Sequence, residues 1–158
     1  MSHDFLFGTK PLPYFKLPDA GGHEIASWDF RQRCPLVIAV LHSLDCNGCV
    51  NWLKATRALD EHIQQIKGKL LIIIPVPIER LASLQKPLGN GARFLADPDE
   101  SYRQKLAKAH LAGTNPVVLI VDRYGDIAEV FEVDAAHAFP DPTQILEALE
   151  FVEHQCPE

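Results

Sequence analysis

Residues 35–41, 70–76 and 116–121 are apolar without interruption, where a strand with one wet face would alternate. Continuous runs of this length are covered on both faces, which points to the centre of an α/β sheet. Between the first two runs, Val50, Leu53, Ala55, Leu59, Ile63 and Ile66 recur at helical spacing, and Gly68 stands where a C-cap is expected. The spacing predicts a helix over 47–67 that crosses between two central strands.

Shorter patterns fill in the rest. Residues 11–27 form two alternating segments around Asp19-Ala20-Gly21-Gly22, the signature of a small hairpin. A short helix is expected over 79–85, broken by Pro87 and by Gly89-Asn90-Gly91. Asp97-Pro98-Asp99-Glu100 carries an Asp cap, Pro at the first helical position and Glu three residues after the cap, predicting a helix over 98–112. The third apolar run turns through 122–126 into a hairpin partner at 127–133. Asp141-Pro142-Thr143-Gln144 repeats the cap pattern and opens a last helix with Ile145, Leu149 and Val152 on one face. There is no internal repeat, low-complexity tract or linker, so one domain over 1–158 is expected.

Composition narrows the class. A hydrophobic content of 47% with 23% charged residues is that of a globular chain, neither disordered nor membrane-inserted. No window approaches the ~18 apolar residues of a membrane span, and the first ten residues lack a secretory signal, so a cytoplasmic protein is expected. A net charge of −6 without a Lys or Arg run argues against a nucleic-acid partner. Four cysteines are too few for a disulfide scaffold at this length, and Cys34 and Cys156 read as structurally incidental thiols.

The candidate chemistry is Cys46-Asn47-Gly48-Cys49, at the end of the first apolar run. If a helix begins there, Cys46 meets unpaired backbone N–H groups and the positive end of the helix dipole, where a thiolate is stabilised. Cys49, one turn on, can close on it. A redox couple, half of a zinc site and a chance pair of buried thiols share this pattern; the strand before and the helix after favour the first. His42 could add a third zinc ligand, but no second Cys or His pair is spaced to complete a site. His42 otherwise reads as a strand-end residue near the thiols, and Trp28 and Trp52 as packing residues.

Several segments together resemble the redoxin branch of the thioredoxin superfamily, which includes peroxiredoxins and thiol-disulfide oxidoreductases. They are Pro13-Tyr14-Phe15-Lys16-Leu17-Pro18-Asp19, the strand leading to Cys46 and Cys49, Phe94-Leu95-Ala96-Asp97-Pro98-Asp99, and the run from Asn115 to Asp122 followed by Tyr124-Gly125-Asp126-Ile127. The resemblance implies a thioredoxin-like three-layer sandwich, a mixed central sheet flanked by helices, with an N-terminal β-hairpin extension. It also implies a cis bond before Pro116, with the backbone of Asn115 turned to the thiols to pair with an incoming peptide. The chain departs from its relatives in places. Asp45 replaces a Trp before the first cysteine, and Val40 replaces a buried acid. Ser43 fits the peroxiredoxin pattern, but Ala39 stands at its Pro, and no Arg stands at or just before Pro116.

The implied activity is a thiol-disulfide oxidoreductase: Cys46 attacks, a mixed disulfide forms, and Cys49 resolves it, with no cofactor. A thiol peroxidase with Cys46 peroxidatic and Cys49 resolving is the alternative, and a metal-binding or structural module is the alternative from another class. Substrates would be disulfide-bearing proteins or low-molecular-weight thiols, and the electron donor of thioredoxin or glutathione type. Asp45 opposes the helix terminus: at ~6 Å it disfavours the thiolate by ~0.7 kcal/mol in water and ~3 at an effective dielectric near 20, against ~0.3–2 from the helix. Asp45→Asn is therefore expected to lower the midpoint of an ultraviolet thiolate titration of Cys46; an unmoved midpoint means that the carboxylate faces solvent.

Overall fold

The computed structural model describes residues 3–5, 10–41, 52, 59–88, 92–111, 115–133 and 139–155. The strands are β1 (His3–Phe5), β2 (Lys16–Pro18), β3 (Glu24–Ala26), β4 (Leu36–Val40), β5 (Lys69–Ile74), β6 (Arg93–Ala96), β7 (Val117–Val121) and β8 (Ile127–Glu132). The helices are α1 (59–65), α2 (Leu81–Leu88), α3 (Ser101–Lys108) and α4 (Pro142–Gln155). Six strands form one sheet in the order β1-β8-β7-β4-β5-β6, and β2 and β3 form a separate hairpin. The sheet is mixed: β4, β5 and β6 run parallel, while β7, β8 and β1 pair antiparallel.

The three apolar runs become β4, β5 and β7, with boundaries within two residues of those predicted. Their residues alternate between two cores. Val37 and Ala39 of β4 meet Leu59 and Ile63 of α1, Leu81 of α2, and Ile145, Leu149 and Val152 of α4. Leu36, Ile38 and Val40 meet Leu12, Phe15 and Ile25 from the N-terminal segment and Tyr102 and Leu106 of α3. Helices thus cover both faces, as continuous apolarity requires.

Local chemistry sets the ends of the elements. The hairpin turn is held by Asp19, whose Oδ1 accepts from the N–H groups of Gly21 and His23 at 2.9 Å each, and Gly22 adopts φ +84°. Asp141 and Gln144 form the expected reciprocal cap of α4: Gln144 N donates to Asp141 Oδ1 at 3.1 Å and Asp141 N to Gln144 Oε1 at 3.0 Å. After α1 the chain leaves through a Schellman turn in which Gly68 N donates to Ile63 O and Lys67 N to Gln64 O, both at 2.9 Å.

The left-handed residue of that turn is Lys67 (φ 62°), not the expected Gly68. Gly68 serves close approach instead: a Cβ there would stand 2.9 Å from Ile63 Cγ2. Three further expectations change. Helix α2 runs through Pro87 to Leu88, costing one backbone bond in its last turn, while Gln85 ties it to β6 by donating to Ala92 O at 2.6 Å and accepting from Phe94 N at 3.0 Å. Helix α3 starts at Ser101 rather than 98, because Asp97–Glu100 first closes a turn (Glu100 N to Asp97 O, 3.0 Å) and Asp97 Oδ2 then accepts from Tyr102 N at 3.1 Å. Trp28 is 61% exposed and is not a packing residue.

Asp60 of α1 is 7% exposed; Gln64 Nε2 donates to its Oδ2 at 2.8 Å, while Oδ1 has no hydrogen-bond partner among the described residues. Burial raises its pKa, outweighing Gln64 and Lys69, which lower it. A carboxyl whose folded-state pKa lies above its unfolded value contributes stability that is full below the unfolded value and lost as pH rises through the folded one. Asp60→Asn is therefore expected to be more stable than the parent at pH 7, with the gap closing below the ordinary value of 3.8. Urea midpoints at the two pH values check this, and a variant no more stable than the parent at pH 7 contradicts it.

Candidate active site at the exit of the central strand

Strand β4 pairs antiparallel with β7 so that Val40 lies opposite Val117. The exit of β4 and the entrance of β7 are therefore side by side. Leu41, after the first, is the last described residue before 42–50, and the second is preceded by Asn115 and Pro116, so the described ends of the two candidate segments are neighbours. His42, Ser43, Asp45, Cys46 and Cys49 lie outside the described residues, as does Cys156. Cys34 is buried in the core. Asn115 is half-buried and Pro116 buried, with Pro116 O accepting from Val133 N at 2.9 Å.

The Asn115–Pro116 bond is trans, where the resemblance implied cis; no peptide bond among the described residues is cis. Trans is the lower-energy isomer even before proline. Val40, at the place of the relatives' buried acid, is itself buried and apolar. Among the described residues no group of three or more His, Cys, Asp or Glu side chains stands together to hold a metal ion.

Sequence reasoning missed Arg103. Helix α3 carries it beneath this end of the sheet, where it is only 7% exposed. Its Nη1 donates to Asn115 O at 2.7 Å and its Nη2 to Val40 O at 3.3 Å, while Nε lies 3.4 Å from Glu100 Oε1. One guanidinium thus bridges the carbonyls at the exit of β4 and before β7. Its planar fork of N–H groups suits two divergent acceptors, and a buried charge is tolerable when it is paired in this way. A cation buried here lowers the pKa of a thiol brought within a few ångströms, and Glu100, half exposed to solvent, offsets it in part.

Nothing in the one-dimensional pattern distinguishes Arg103 from the solvated lysines that follow it on α3. It adjoins the apolar stripe of Tyr102 and Leu106, and its partners are 63 and 12 residues away along the chain. Trp52, in contrast, is the packing residue expected. It is buried and helical, donates Nε1–H to Pro140 O at 3.3 Å and stacks on Phe139 with centroids 5.1 Å apart and planes 16° from parallel. This ties the chain shortly after Cys49 to the segment that enters α4.

A family model described as the AhpC/TSA family matches residues 9–130. Among solved structures, the chain is similar to a thiol peroxidase from Chromobacterium violaceum, with 22% identity, a TM-score of 0.72, and 95% of this chain and 90% of that one covered. It is similar to peroxidoxin BcpB from Mycobacterium tuberculosis, with 14% identity, a TM-score of 0.75 and 91% and 96% covered. It is also similar to a secreted thiol-disulfide isomerase from Corynebacterium glutamicum, with 17% identity, a TM-score of 0.77 and 97% and 93% covered. None of the curated proteins matches. At these identities the structural likeness establishes the thioredoxin-like fold that the sequence implied.

Truncating Arg103 leaves two strand-end carbonyls without their charged donor. Arg103→Met is expected to lose ~1.5–3 kcal/mol of stability, the range for hydrogen bonds to a charged group. Arg103→Lys, which can reach one carbonyl at a time, should fall between. Denaturant midpoints for the three proteins measure this, and an unchanged midpoint in Arg103→Met rules out the clamp.

Proposed function

Because the chain belongs to the AhpC/TSA family, we propose that it is a thiol-disulfide oxidoreductase whose working groups are Cys46 and Cys49. The observation that carries the reading is the buried Arg103 guanidinium at the exit of β4, five residues before Cys46 is reached from Leu41. A cation there favours the thiolate, the attacking species in disulfide exchange, against the opposing charge of Asp45. The Cys46 thiolate attacks one sulfur of the substrate disulfide and displaces the other as a thiolate. Cys49, losing its proton, then attacks Cys46 and displaces the second substrate sulfur. Two electrons pass from the dithiol to the substrate, and a thioredoxin- or glutathione-type donor returns them in a reducing cytoplasm.

A second reading is supported by a specific contact. The sequence lacks the Arg that a peroxidase places beside Pro116, yet Arg103 brings a guanidinium to the carbonyl of Asn115 from another element. With a hydroperoxide, the Cys46 thiolate attacks the O–O bond to give a sulfenic acid and, with one proton, an alcohol or water. Cys49 then condenses with the sulfenic acid, releasing water and leaving the same disulfide. The fold serves both reactions, since peroxidases and a disulfide isomerase share it.

The test is a trapping experiment with a model protein disulfide. Cys49→Ser is expected to accumulate a Cys46 mixed disulfide, visible by mass and released by dithiothreitol, and Cys46→Ser to accumulate none. Equal trapping by both variants, or by neither, refutes the assignment. Reduced parent protein is challenged with hydrogen peroxide in parallel; Cys46-dependent consumption far faster than that of free cysteine selects the peroxidase reading.

A further inference from the structure

At the opposite end of β4 and β7, where Leu36 lies across from Val121, the surface holds a cavity of about 230 Å³. Four residue steps along the strand, about 13 Å, separate this end from the candidate active site. Among the described residues the exposed large hydrophobic side chains are Tyr14, Trp28, Tyr124 and Phe151, and the first three line this one cavity. Trp28 and Tyr14 meet edge to face, with centroids 4.8 Å apart. Exposed aromatic surface is ordinary when scattered and informative when gathered in one concavity.

Two opposite charges share the lining. The Arg31 guanidinium lies over the Trp28 ring, 5.7 Å from its centroid, and its aliphatic stem packs on Gly125, where a Cβ would stand 3.1 Å from Arg31 Cγ. Both contacts draw the Arg31 side chain along the cavity lining. Asp126, half-buried in the same wall, has its carboxyl pushed upward by burial and by Asp122 and pulled back by Arg31. Neither side chain makes a hydrogen bond or ion pair with another described residue, although Arg31 is near enough to act on the Asp126 carboxyl.

A cavity walled by aromatic rings that carries both a cation and an anion in its lining is complementary to a zwitterion with an apolar side chain. A simple carboxylate would face Asp126, and a simple amine would face Arg31. The volume lies below the roughly 300–1,000 Å³ of pockets for drug-sized ligands and suits a molecule of single-residue size. We propose that this cavity binds a free α-amino acid with an aromatic or aliphatic side chain: its carboxylate on Arg31, its ammonium on Asp126 and its side chain against Tyr14, Trp28 and Tyr124. A guanidinium takes a carboxylate in bidentate fashion, and an ammonium beside Tyr rings gains from their faces as well.

The experiment is calorimetric titration of the whole protein with L-phenylalanine, with tryptophan emission followed alongside. Trp28 is exposed and Trp52 buried, so an emission change reports the cavity. One saturable site with Kd of about 0.1–1 mM is expected. N-acetyl-L-phenylalanine, lacking the ammonium, and phenethylamine, lacking the carboxylate, should each bind at least tenfold more weakly. These two arms use the unaltered protein, so they do not depend on a variant folding. Arg31→Gln and Asp126→Asn should weaken phenylalanine to a similar degree. Absence of saturable heat at about 10 mM ligand, equal binding of either truncated ligand, or undiminished binding by both variants overturns the proposal.

Discussion

Two-sided burial of β4 is the constraint from which the architecture follows. Leu36, Val37, Ile38, Ala39 and Val40 are all at most 2% exposed. A five-residue strand with no polar side chain has no face that water can occupy, so it needs a strand on each side and a layer on each face. β5 and β7 supply the neighbours, α1, α2 and α4 one layer, and α3 with the N-terminal segment the other. A polar side chain on β4 would have to be satisfied inside one of these cores, which is why the candidate chemistry begins only where the strand ends.

That end concentrates groups that the core cannot use. The carbonyls of Val40 and Asn115 emerge where the ladder between β4 and β7 stops, and a buried carbonyl without a donor is costly. Arg103 answers both with one side chain and in doing so brings a full positive charge to the end of β4. The same contact closes the strand ends and, on the proposed reading, also supplies the positive charge that favours the thiolate. Arg103→Met removes the charge and both hydrogen bonds together, whereas Arg103→Lys keeps the charge and gives up one carbonyl.

Sequence patterns made the central elements legible because burial on both faces is written in uninterrupted apolarity, as in the runs that became β4, β5 and β7. The cap at Asp141 was equally readable, since both partners lie within four residues. Elements held by distant partners were not. β6 is four residues long, too short for a period to show, and is placed by pairing with β5. β1 is placed by pairing with β8 across more than a hundred residues. The pattern at Asp97 places the cap three residues early, because Glu100 enters the left-handed region and resets the helix start. The Cys46 and Cys49 pattern is visible in the sequence, whereas Arg103 is recognisable only from its partners in space.

Helix α3 joins the two ends of the sheet mechanically. Arg103 reaches the strand ends beside the candidate active site, while Tyr102 donates its hydroxyl to Pro13 O and Lys105 its ammonium to Tyr14 O, both at 2.8 Å. Tyr102 also stands edge-on to Phe15, 5.1 Å between centroids. A helix of two turns behaves as a rigid strut, so the segment that carries Tyr14 to the aromatic cavity and the guanidinium that clamps Asn115 are fixed to the same body. The N-terminal hairpin is therefore more than a cover for the second core: it sets one wall of the cavity in register with the helix that closes the other end of the central strands.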